Sequence, residues 1–96
     1  MAILIYLGQY QYNNFETIPV YPNPAKKELK IDLKDINTTD SRILIFNTTC
    51  QKVFEELLKA NLESYTISLN GFLQGIYFLN IQTEQGSFRQ SYVKME

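Results

Sequence analysis

The sequence contains no histidine. That absence excludes Ser-His and Cys-His nucleophilic pairs and the histidine-based metal sites. There is one cysteine, Cys50, so no internal disulfide can form. With no histidine or basic cluster beside it, Cys50 reads as a structural residue rather than a nucleophile. The four glycines stand singly, so no phosphate-cradling loop exists. Charge of one sign is also lacking: nine Lys and Arg face ten Asp and Glu, and the net charge is −1. The basic residues are scattered. This balance gives no electrostatic case for nucleic acid or an acidic membrane surface. Convergent carboxylates are missing too. Glu55-Glu56 is an adjacent pair, but neighbours on a strand point to opposite faces. The chain is therefore not expected to be an enzyme, and no cofactor or metal is implied.

Long apolar runs are absent as well. Ala2 to Leu7 is apolar but far too short to span a bilayer, so no membrane insertion is expected. It lacks the basic start, longer apolar region and cleavage site of a secretory signal. It reads as an extra edge strand or the tail of an upstream segment, with a degenerate targeting segment as the lesser alternative. Gly8 to Glu16, rich in Gln, Asn and Tyr, has no clear period and reads as a linker.

What is present is a β pattern. The 96 residues are enough for one small domain, and the aromatics are all Tyr and Phe. The pattern opens at Val20-Tyr21-Pro22-Asn23-Pro24-Ala25. Each proline fixes its own φ, removes a backbone donor and pushes the residue before it out of the helical region. Glu28 to Leu33 then alternates, with Leu29, Ile31 and Leu33 on one face, as in a half-buried strand. Asp35 to Ser41 is a polar turn. Arg42 to Phe46 is apolar on both faces and predicts a central strand. Asn47 to Cys50 turns the chain. Lys52 to Leu62 has near-helical spacing and good helix formers. Strands on both sides and short connections favour a strand ending in a loop near Asn61. Tyr65, Ile67 and Leu69 alternate with Thr66 and Ser68. In the turn from Asn70 to Gly75, Phe72 and Leu73 are expected to plug one end of the core. Ile76 to Ile81 predicts a second central strand, Gln85-Gly86 a tight hairpin, and Phe88 to Met95 the last strand, with Phe88 and Tyr92 opposite Val93. About seven strands at ten-residue spacing predict an all-β, immunoglobulin-like antiparallel sandwich. Asn37-Thr38-Thr39 and Asn47-Thr48-Thr49 match the glycosylation sequon, as many unmodified turns do.

Four pieces, in order, resemble a known family: Val20 to Ala25 with Leu29 and Ile31; Ile45 to Gln51; Leu69 to Tyr77 with its Gly75-Ile76-Tyr77 centre; and Phe88 to Lys94. Together they are similar to the C-terminal sorting domain (type A) of the type IX, or Por, secretion system of Bacteroidetes. The resemblance covers about residues 18 to 95. It divides the chain into a linker or upstream remnant over 1–17 and a sorting domain over 18–96.

The resemblance implies a non-catalytic address that directs attached cargo across the outer membrane. The implied partners are the outer-membrane secretion machinery and a sortase that cuts the tail from its cargo. The implied route runs through the periplasm to the cell surface or the extracellular space. By match to the family's motifs, the recognition residues are Pro22, Asn23, Pro24, Gly75, Tyr77, Val93 and Lys94. Plainer roles stand beside these: the prolines shape a turn, Gly75 relieves one, Tyr77 packs in the core, and Lys94 is a solvated end. Removal of Tyr92 to Glu96 is expected to abolish export with little loss of folding. The family has glycine where Cys50 stands, so a turn needing φ > 0 there would be strained. The 96 residues hold neither a signal peptide nor the cargo domain. The expectation is a fragment of a longer product or a stand-alone remnant. The alternative reading is an immunoglobulin-like binding module for carbohydrate or protein, with Tyr6, Tyr10, Tyr12 and Phe15 as the contact row.

Overall fold

Period-two alternation in Glu28–Asp32 buries Leu29 and Ile31 completely and leaves Lys30 in water. The computed structural model describes residues 15–16, 18–34 and 36–96. Among them are eight strands and no helix. They are β1 (Phe15–Glu16), β2 (Val20–Tyr21), β3 (Glu28–Asp32), β4 (Ser41–Phe46), β5 (Lys52–Leu58), β6 (Ser64–Ser68), β7 (Gly75–Thr83) and β8 (Gly86–Lys94). From Val20 onward there are seven strands, as the spacing predicts. Lys52–Leu58 is a strand despite its near-helical spacing, because it pairs along its length with β4. The apolar stretch Ala2 to Leu7 lies outside the described residues. The linker reading of Gly8 to Glu16 fails at its end, where Phe15–Glu16 pairs in parallel with Ser87 and Phe88.

The strands form two sheets, ordered β1-β8-β7-β4-β5 and β2-β3-β6. Every pairing but that of β1 is antiparallel. Ile43, Ile45, Tyr77, Leu79, Ile81 and Tyr92 of the larger sheet share one buried cluster with Leu29, Ile31 and Ile67 of the smaller. The sheets are thus the two layers of a β-sandwich. Most of these side chains are completely enclosed. Each contributes about 1.5–3 kcal/mol of apolar burial before entropy is counted. The two strands expected to be central are central: β4 lies between β5 and β7, and β7 between β4 and β8.

The turns hold two departures. Phe72 packs against the core as expected, but Leu73 is 80% exposed. Gly71 at φ +88° and the bond from the Phe72 N–H to the Leu69 carbonyl close a tight turn. That turn brings Phe72 inward and swings Leu73 into solvent. At the other end, Asn37 is buried rather than displayed. Its Nδ2 donates to the Lys59 carbonyl at 2.7 Å, and its Oδ1 accepts from the Ser41 hydroxyl at 2.8 Å. This sequon is structural, because a glycan there would tear out both bonds.

Candidate functional site

The residues singled out by motif lie far apart in sequence, yet the sandwich gathers them at one end. Two of the three groups meet through the pairing of β7 with β8. That register sets Gly75 opposite Lys94, Ile76 opposite Val93 and Tyr77 opposite Tyr92. The third group joins from the other side of β8. Pro22 and Pro24, both following cis peptide bonds, turn the chain so that Ala25 forms a parallel bridge with Lys94. The Ala25 N–H donates to the Val93 carbonyl and the Met95 N–H donates to the Ala25 carbonyl, both at 2.8 Å. The Val93 N–H donates to Asn23 Oδ1 at 3.0 Å. The last strand is therefore gripped on both edges at its C-terminal end.

Within each group, one residue faces the core and its neighbour faces solvent, as strand geometry requires. Tyr77 is buried. Its hydroxyl donates to the Leu73 carbonyl at 2.7 Å. Its ring meets Phe72 edge-on at 5.3 Å and stacks on Tyr92 at 5.5 Å. Tyr92 lies in the core, and its hydroxyl has no hydrogen-bond partner among the described residues. Burial, and then the adjacent Tyr77, push its ionisation well above the ordinary phenol range.

Lys94 is not a solvated end. It is 4% exposed, and its Nζ donates to the Met95 carbonyl at 3.0 Å. Its place in the strand points it inward, so the long methylene stem is buried while the ammonium reaches a backbone oxygen. Deletion of Tyr92 to Glu96 is likewise not a clean test. It would remove a core aromatic and the buried Lys94 together, so folding would be lost along with any signal.

The outward members are Ile76, 49% exposed, and Val93, 37% exposed, cross-strand partners on the outer face of the larger sheet. Phe78 continues this apolar surface along β7, and Phe46 sits opposite Phe78 on β4. A groove of about 570 Å³ opens there, lined by Phe46, Phe78, Cys50, Asn80 and Arg89 among others. Sequence reasoning missed Ile76, Phe78 and Phe46 as surface residues. In Ile76-Tyr77-Phe78-Leu79 both faces are apolar, so alternation is invisible.

The remaining chemistry is sparse. Among the described residues, no group of three or more His, Cys, Asp or Glu side chains gathers. No helix among them is long and apolar enough to cross a membrane. Glu55 pairs with Lys52 and Arg42 on the sheet surface. The hydrogen bond from Lys52 leads in holding its carboxyl below the ordinary range, opposed by desolvation and aided by the charges of Lys52 and Arg42. Of the aromatic row considered for a binding module, Tyr6, Tyr10, Tyr12 and the side chain of Phe15 lie outside the described residues.

Comparison with known proteins gives one broad match. The family model described as the secretion system C-terminal sorting domain matches residues 19–95. No curated protein matches the chain. Among solved structures, the chain is similar to a β-glucuronidase from Parabacteroides merdae, with 19% identity and a TM-score of 0.42. That similarity covers 83% of this chain and 13% of the glucuronidase.

Proposed function

The chain belongs to the family of secretion system C-terminal sorting domains, and from that premise we propose that the machinery reads the end of the sandwich where the three motif groups meet. The protein is a sorting signal of the type IX system, in a family whose domains are addresses and not catalysts. A signal of this kind marks its carrier for export to the cell surface or extracellular space.

The finer reading concerns how the signal is displayed. The contact surface is the outward pair Ile76 and Val93, extended by Phe78 and Phe46. Pro22, Asn23, Pro24, Gly75, Tyr77 and Lys94 hold that surface in shape from within and from the edge. The carrying observation is that Ile76 and Val93, one from each of two motif groups, are cross-strand partners and both exposed. Large apolar side chains left together on a sheet face mark an interaction site. The sorting domain spans residues 18–96; the 1–17 segment, whose Phe15–Glu16 pairs onto β8, leads to cargo, and the sortase acts ahead of that paired strand after transit through the periplasm.

The experiment joins a signal peptide and a fluorescent reporter ahead of the full chain in a type IX-competent cell. Ile76→Thr with Val93→Thr keeps strand-forming residues while removing apolar contact area. The expected result is a folded domain whose reporter stays in the periplasm. A double variant that exports its reporter as well as the native chain rejects this surface.

A further inference from the structure

We propose that Asn23 is a positioning residue for the sorting signal: its side-chain oxygen pins the last strand so that Val93 stands beside Ile76. This rests on the reading above, that the Ile76–Val93 surface is what the machinery contacts.

Chain ends fray unless they are tied down. Along one edge, β8 is tied to β7 as far as Lys94. Along the other edge, Val93 and Met95 turn their backbone groups towards residues 23–25. Three hydrogen bonds form there, and two run between backbone groups of Ala25, Val93 and Met95. Any residue at position 23 leaves those two available. The third, from the Val93 N–H, ends on the Asn23 side chain.

The reason lies in the local sequence. Pro22 and Pro24 set the path of the turn, and the Val93 N–H needs an acceptor where that path brings residue 23 past it. A short side chain with a carbonyl oxygen meets the need. Asn23 is itself exposed, so it contributes nothing to core packing. Seventy positions separate it from Val93, so this one bond joins the two ends of the family-matched region. Without it, Val93 loses its amide anchor and the strand end carrying Lys94 opens more often.

The test uses the full chain with the reporter ahead of it and three variants: Asn23→Ala, Asn23→Leu and Asn23→Asp. Amide exchange at Val93 reports the clasp, thermal melting the fold, and the exported fraction the function. Ala and Leu are expected to speed Val93 exchange about tenfold, the factor that one net hydrogen bond carries. They are expected to leave the melting temperature within a few degrees of native and to lower the exported fraction severalfold. Asp keeps an acceptor for the amide, so it is expected to restore both slow exchange and export. Native export by Asn23→Ala alongside fast Val93 exchange overturns the inference. So does failed export by Asn23→Asp with Val93 still protected, since the carboxamide would then be a contact rather than a prop. A native chain that leaves its reporter in the periplasm overturns the sorting-surface reading itself, and the inference with it.

Discussion

Replacing Cys50 with glycine is expected to stabilise the domain. The β4–β5 turn is held by its own hydrogen bonds, whatever stands at position 50. The Asn47 N–H donates to the Gln51 carbonyl and the Cys50 N–H to the Asn47 carbonyl, each at 3.0 Å. Asn47 Oδ1 also accepts from the Thr49 and Gln51 amides. This frame obliges Cys50 to adopt φ +65°. A left-handed conformation costs a residue with a Cβ about 1–2 kcal/mol. Glycine returns about 0.4–1 kcal/mol of that through the greater freedom of its unfolded chain. The exposed thiol is free and forms no disulfide that would be lost. The net gain is about 0.5–1 kcal/mol, or about 2–8 °C in melting temperature for a domain of this size. Thermal unfolding by circular dichroism measures it, with Cys50→Ala as the control. Alanine removes the thiol but keeps the Cβ, so its melting temperature should stay near native. A glycine variant no more stable than native, or an alanine variant that gains as much, refutes the strain argument.

Three further outcomes follow from the buried and paired groups. Tyr92→Phe should leave stability unchanged or raise it by about 1 kcal/mol in urea unfolding, because it deletes a buried hydroxyl with no partner in the described structure. Tyr92→Ala should cost about 3–5 kcal/mol through the cavity it leaves. Asn37→Ala should cost about 1–3 kcal/mol by orphaning the Lys59 carbonyl and removing an acceptor for Ser41; Asn37→Asp should cost at least as much, since its carboxylate faces that carbonyl. For Glu55 the sign is that of a lowered carboxyl: its stabilisation is present above pH 4.5 and fades as pH falls through the depressed value. Glu55→Gln should therefore narrow the gap between urea midpoints at about pH 7 and about pH 3, and an unchanged gap refutes that linkage.

Local alternation was sufficient for β3 and β6, where one face is polar and the other apolar. It also located β4 and β7, apolar on both faces, as central strands, paired on both edges, although Ile76 and Phe78 on the outer face of β7 stay half exposed. The same property hid which of their side chains face solvent. Ile76 and Phe78 differ from Tyr77 and Leu79 only in register, and register is set by partners elsewhere in the chain. The strain at Cys50 was legible only through the resemblance, which carries glycine there; the sequence itself did not show that the turn needs φ +65°. The solvated-end reading of Lys94 failed because a lysine near the end of a sequence gives no sign that it is buried in a strand end bridged by Ala25. The Asn23–Val93 bond was illegible for the same reason: each partner satisfies no local rule.

The stretch from Phe15 to Ala25 runs in the same direction as β8 and touches it at both ends. Phe15 pairs with Ser87 near the start of β8, and Ala25 bridges to Lys94 at its finish. Seven residues of strand separate those points, about 23 Å. The domain therefore has two poles, each closed onto β8 by a different part of the same stretch. Phe15 stands beside the start of β8 next to the Gly86 hairpin, while Ile76 and Val93 stand at the opposite pole.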